Sequence, residues 1–373
     1  MKIIGGESMG LEDEIRNAAR EIYTDGYDMS LGEIVSLYRD SELIINPAYQ
    51  RLFRWDETRK TRFIESLLLG IPVPSIFVFQ NADGTWELVD GLQRLSTVLE
   101  FMGLLKGPSG SVSPASTLEA TTLLPSLSGK VWDENSENSI GRAQQISLKR
   151  ARMRVEILKK ESDPQVKYEL FQRLNTGGIE LSDQEVRSSI MLMVSPSFYQ
   201  FMESASNNSD LIETTAITDK AVREGRHSEL ILRLLAYKFA PYSGKLDVNE
   251  YLDESMLKLM SDGIPDEAKV KEDLQNTFSI LNRCMGSRSF KKFDGEDFLG
   301  SFSIAAFESI AFGIFFNVDK WSNIDQSDLC EKLSDKIKLL WQHDTFILNS
   351  GAGVRGTTRI TNLLPFATEY FVP

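Results

Sequence analysis

The chain has 373 residues, 42% hydrophobic and 25% charged, the proportions of a folded globular protein with room for one large domain or two ordinary ones. It carries 54 acidic against 41 basic residues, a formal charge of -13, which opposes non-specific attraction to nucleic acid. Two cysteines without a CxxC pair argue against a disulfide framework or a cysteine zinc site; no apolar run suits a membrane span, the opening residues lack the apolar stretch of a secretory signal, and a cytoplasmic location is expected.

In chain order, residues 1–29 read as an amphipathic preamble, helical over 11–23. Ser30 and Glu33 have capping-box spacing, which predicts a short helix burying Leu31, Ile34, Val35 and Tyr38. Residues 44–47 are expected to be extended, because the residue before Pro47 avoids helical geometry. Asp56 stands where it can cap a helix whose Phe63, Ile64, Leu67 and Leu68 recur at helical spacing, with Gly70 and Pro72 as its stop. Residues 75–79 and 85–89 predict a hairpin around Asn81, Ala82, Asp83 and Gly84. A helix follows Gly91, with Leu95, Val98, Leu99 and Met102 facing inward.

Residues 107–146, rich in Ser, Gly, Pro and Thr, read as an insertion or flexible surface excursion. A strand follows over 152–158, with Arg152, Arg154 and Glu156 on one face and Met153, Val155 and Ile157 on the other. The basic run Lys149, Arg150, Arg152 and Arg154 is either a local phosphate-contacting patch or a solvated strand edge. A helix through Tyr168, Leu170 and Phe171 runs into Asn175, Thr176, Gly177 and Gly178. Ser182 and Glu185 form a second capping box, opening a helix through Met193. Beyond about residue 195 long helical patterns dominate, as over 229–239 and 302–316. The fold class is therefore α+β: the preamble, a mixed domain over 30–195 with the insertion at 107–146, and an all-helical domain over 196–373.

The chemistry concentrates at Asp90, Gly91, Leu92, Gln93 and Arg94, where the second hairpin strand hands over to a helix. A helix N-terminus offers unpaired N–H groups and a positive dipole end, so it accepts anions. Gly91 removes the side chain that blocks close backbone approach. Arg94, one turn in, can fork onto a phosphate. Gln93 can orient a water, and Asp90 can hold a metal ion or take a proton from attacking water. On spacing alone, the same residues also fit a plain helix cap followed by a surface arginine.

The wider context is a resemblance. Tyr49, Gln50 and Arg51 with Trp55, then Phe63, Ile64, Glu65 and Ser66, then residues 70–74 (Gly-Ile-Pro-Val-Pro), then residues 89–94 appear in one order. With residues 171–178 and 181–185 they resemble the N-terminal domain of GmrSD-type modification-dependent restriction enzymes over residues 44–190. The resemblance implies a ParB/sulfiredoxin-like fold and nucleoside triphosphate binding and hydrolysis with Mg²⁺, with Asp90, Gln93 and Arg94 catalytic and Asp90 as metal ligand. It implies that Gln50, Arg51 and Gly91 contact the nucleotide, that Tyr49 or Trp55 either stacks on its base or packs in the core, and that Arg173, Asn175 and Thr176 either meet phosphate or simply end a helix at a glycine-rich stop. That family's segment usually reads Asp-Gly-Gln-Gln-Arg; here Leu92 replaces the first Gln.

Restriction enzymes of this type that cut DNA usually carry, or partner with, an HNH nuclease. The only histidines are His227 and His343, neither in an HNH cluster; they read as a helix-start and a helix-end residue. An HNH centre is not expected here, and no P-loop, HExxH or GxSxG motif is present. Arg152 and Arg154, and Arg355 and Arg359 in the glycine-rich stretch 351–359, are weaker candidates for nucleic-acid contact. The leading expectation is a nucleotide-binding, NTP-hydrolysing module of prokaryotic defence, with DNA and a separate nuclease or effector as partners and no membrane. Two alternatives stay open: a metal-dependent nuclease built on Asp90 with Glu65, or a non-catalytic DNA- or protein-binding component.

Overall fold

The computed structural model describes residues 12, 24–45, 55–107, 110–159 and 182–373. The chain divides into two compact units, residues 1–179 and 180–373. The first is mixed α/β and the second is helical apart from one short hairpin.

The first unit is built on a five-stranded sheet of order β1-β5-β3-β4-β2. Its strands are β1 (Thr24–Ser30), β2 (Leu43–Ile44), β3 (Ile76–Gln80), β4 (Trp86–Asp90) and β5 (Arg152–Leu158). β3 and β4 form the expected antiparallel hairpin. β5 runs parallel to β3 and antiparallel to β1, with Thr24 opposite Leu158 and Ser30 opposite Arg152. The edge reading of the basic strand is thus overturned: β5 is an interior strand. Its alternating arginines imitate an edge because they project from one face, while Met153, Val155 and Ile157 are buried on the other. The sequence left residues 24–29 unassigned, and with Ser30 they form β1, which lies at one end of the strand order.

Helix α1 (Leu31–Arg39) starts at Ser30, whose hydroxyl accepts from the Glu33 amide. Helix α2 (Glu57–Leu69) is capped by Asp56 and stopped by left-handed Gly70, as its sequence dictates. Helix α3 (Leu92–Phe101) buries Leu95, Val98 and Leu99. The stretch expected to be an insertion or a flexible excursion has fixed ties to α2. Thr58 donates to Glu119 at 2.7 Å, the Glu119 amide donates to Thr61, and Thr121 donates to Glu65, while Leu118 and Leu127 are buried. Its end forms helix α4 (Arg142–Arg150). Gln145 donates to the Trp132 carbonyl, and Trp132 packs edge-on against Phe101. Hydroxyls and small residues lowered the helical and strand signals there without removing the fixed partners.

In the second unit, helix α5 (Asp183–Val194) opens with the reciprocal capping box of Ser182 and Glu185. There follow α6 (Pro196–Ser206), α7 (Ser209–Thr215), α8 (Asp219–Arg223), α9 (Arg226–Phe239), α10 (Val248–Asp262) and α11 (Glu267–Met285). Strands β6 (Lys292–Phe293) and β7 (Phe298–Leu299) make the hairpin. The chain ends with α12 (Ile304–Phe316), α13 (Val318–Ser322), α14 (Gln326–Leu340), α15 (Asp344–Ser350) and α16 (Gly356–Tyr370).

Helix α12 is the centre of this unit, buried from Ala305 through Phe315. Gly313 lets α16 approach so closely that a Cβ there would lie 2.7 Å from the Ala367 carbonyl oxygen. Cys284 on α11 and Cys330 on α14 form a disulfide; one bridge, not a framework, is what two cysteines allow. No described helix is long and apolar enough to cross a membrane.

Candidate functional site

β4 ends at Asp90, and Gly91 turns the chain directly into α3. Gly91 adopts φ 99° and ψ 15°, in the left-handed region. A Cβ at this position would fall 2.3 Å from Cγ2 of Ile76, the first residue of β3. Glycine is therefore demanded twice, by the turn and by the packing of the junction onto β3. The N-cap of α3, Gly91, brings no side chain to cap the helix. Its first intrahelical bond runs from the Leu95 amide to the Gly91 carbonyl, so the amides of the first turn have no acceptor within the helix.

The side chains around this junction form a closed arrangement. Arg94 donates from Nη2 to Asp90 Oδ2 and from Nη1 to the Ser75 carbonyl, both at 2.6 Å. The pair is shielded, with side-chain exposures of 13% for Arg94 and 23% for Asp90. Asp90 ends β4 and Arg94 lies in the first turn of the helix, so the pair ties strand end to helix start. Gln93 Oε1 accepts from the Trp55 amide at 3.1 Å. Trp55 packs edge-on against Phe63 of α2 at 5.6 Å. Leu92, where the family's segment has Gln, is buried.

These contacts redefine the candidate residues. Arg94 is the joint between α3, the end of β4 and the segment leading into β3; these two bonds use two of the five N–H donors of its guanidinium. Gln93 anchors the segment entering α2 to the first turn of α3. Trp55 spends its ring on Phe63, a packing role. Glu65, weighed as a second carboxylate beside Asp90, accepts a hydrogen bond from Thr121. Among the described residues no group of three or more His, Cys, Asp or Glu side chains could hold a metal ion. Asp90 with phosphate oxygens is nevertheless a donor set that suits Mg²⁺, which usually takes one or two carboxylates and completes its shell from phosphates and water. Tyr49, Gln50, Arg51, Arg173, Asn175 and Thr176 lie outside the described residues.

The arginines offered for nucleic-acid contact separate by environment. Arg152 is exposed on β5. Arg154 is held by Glu156 on the same strand at 2.5 Å. Arg355 is exposed at the start of α16. Arg359 turns inward: its Nε donates to Glu308 at 2.9 Å and its Nη1 to the Val354 carbonyl. Glu308, 1% exposed, also accepts from Arg233 and Tyr237. Arg359 thus completes a buried ionic cluster, because a buried carboxylate needs compensating donors. His227 is buried against Thr215 in the first turn of α9. His343 is the N-cap of α15 and not a helix-end residue, its Nδ1 accepting from the Thr345 amide.

Two partners in the junction carry no sequence signal. The Ser75 group that receives Arg94 is a backbone carbonyl, available at every residue type. Ile76 looks like any apolar strand residue, and its contact with Gly91 exists only once β3 lies beside α3.

Fold and junction define a mixed α/β domain whose central feature is a strand–glycine–helix turn carrying an Asp–Arg pair, followed in the chain by a helical region. Residues 31–192 match the family described as GmrSD restriction endonuclease, N-terminal domain. This stretch, under half of the chain, is similar to the N-terminal domain of that restriction-system family. Comparison with curated proteins gives no match.

Proposed function

We propose that the N-terminal domain binds a nucleoside triphosphate at the first turn of α3 and hydrolyses it as part of a restriction system acting on foreign DNA. The supporting observation is the start of α3, reached through left-handed Gly91, with Asp90 and Arg94 paired beside it. The positive end of the helix dipole favours phosphate there. Arg94 supplies the mobile positive charge, and Asp90, freed when Arg94 turns to phosphate, is left to meet Mg²⁺ or the attacking water. Phosphoryl transfer depends chiefly on positioning and electrostatics, which suits so small a set of groups.

Equilibrium binding and phosphate release by purified protein with each of the four NTPs and Mg²⁺ test this reading. Arg94→Ala is expected to weaken binding by about tenfold or more, the scale of a lost charge-assisted hydrogen bond. Asp90→Asn is expected to lower turnover more than affinity. Wild-type protein that neither binds nor hydrolyses any NTP, or an Arg94→Ala variant indistinguishable from it, would overturn the proposal.

A further inference from the structure

A second feature of the α/β unit lies at the other end of α2. The last turn of α2, residues 70–73 and one face of α4 enclose an open groove of ≈ 690 Å³. The α4 face is Ala143, Ile146, Ser147 and Arg150, the spacing that aligns side chains along one side of a helix. Leu69 and Ile71 are each 45% exposed and Ile146 is 39% exposed. Concave surface with exposed aliphatic side chains marks an interaction site more than a bare surface. The groove is also cationic. Arg150 and Arg152 line it, both are exposed, and neither side chain has an ion-pair or hydrogen-bond partner among the described residues. Among the described residues no acidic side chain lines it, on a chain with 54 acidic and 41 basic residues.

We propose that this groove is the docking surface for a separate protein chain, and that its occupant is a segment with apolar side chains flanked by carboxylates. Apolar positions would sit on Leu69, Ile71 and Ile146, while the carboxylates meet Arg150 and Arg152. Complementary charge selects and steers such a partner. Nucleic acid fits less well, because two arginines supply few phosphate contacts and aliphatic side chains do not serve the backbone.

The groove is continuous with the junction through the chain itself. Residues 71–73 line it, the Ser75 carbonyl two residues on receives Arg94, and Ile76 packs on Gly91. A partner pressing on Ile71 and Val73 therefore acts on the segment that holds Arg94. This coupling rests on the proposed nucleotide site; the docking itself does not.

The test is fluorescence polarisation on the full chain with a labelled helical peptide of roughly 18 residues, bearing Leu at i, i+3, i+4 and i+7 and Glu beside them. A peptide with Lys in place of Glu and a labelled DNA duplex are the controls. The acidic peptide is expected to bind about tenfold or more tightly than the lysine peptide. Ile146→Glu and Arg150→Glu, both at exposed positions, are each expected to weaken it by a similar factor while leaving thermal unfolding and NTP affinity unchanged. Adding Mg²⁺ and NTP is expected to shift peptide affinity in the wild type and not in Arg94→Ala. Equal binding of both peptides, absence of binding, or insensitivity to the two variants overturns the docking proposal. Arginine-dependent binding of the duplex alone overturns it in favour of DNA, and a dimer of the free chain abolished by Ile146→Glu does so in favour of a second copy. Peptide binding without NTP binding removes only the nucleotide reading; NTP binding without peptide binding removes only the dock.

Discussion

A methyl group at position 91 would sit 2.3 Å from Cγ2 of Ile76 on a backbone held at φ 99°. Gly91→Ala is therefore expected to destabilise the α/β unit by roughly 2–4 kcal/mol, combining left-handed strain with overpacking. Urea unfolding measures it, and a Gly91→Ala/Ile76→Ala pair is expected to lose less than the sum of the single changes because the two residues share the clash. His227 gives a pH-dependent counterpart. Burial pushes its imidazole below the ordinary value of 6.5, so the folded state stays neutral where the unfolded chain takes up a proton. Its contribution is present above the unfolded pKa and lost as the pH falls through the lower, folded one. The urea midpoint is expected to fall between about pH 7.5 and about pH 5.5, with His227→Gln flattening that slope. The residue types at both positions were legible in the sequence, but their reasons were not. Glycine at 91 looked like room for a ligand, and what it admits in this structure is Ile76.

Helix ends were the most legible elements. Asp56 with Gly70, and Ser182 with Glu185, work through bonds spanning a few residues, so spacing alone determines them. The tie of residues 118–121 to α2 and the interior place of β5 could not be read, since both depend on neighbours distant in the chain. The same holds for the disulfide between α11 and α14, whose cysteines stand 46 residues apart. Closing a loop of that length restricts the unfolded chain, and reduction is expected to cost roughly 2–4 kcal/mol. Thermal unfolding with and without reductant measures the loss, and Cys284→Ser should unfold at the reduced protein's temperature whether or not reductant is present. An unchanged wild-type midpoint on reduction would mean that the bridge adds nothing to stability.

At the scale of the molecule, two compact units within one chain lead to the expectation of two calorimetric transitions. Gly91→Ala should lower one, and Cys284→Ser the other; a single transition moved by both would contradict this. The sequence by itself determined the α+β character, the helical second half and the strand–glycine–helix junction, because periodicity, caps and turns act over a few residues. Tertiary structure decided what the junction's side chains do. Asp90, Arg94 and the Ser75 carbonyl meet only after β3, β4 and α3 are assembled. Arg359 turns from a candidate surface contact into a partner of buried Glu308 only when α12 and α16 pack. Local chemistry is carried by sequence spacing, whereas the pairing of charges is set by which elements come to lie side by side.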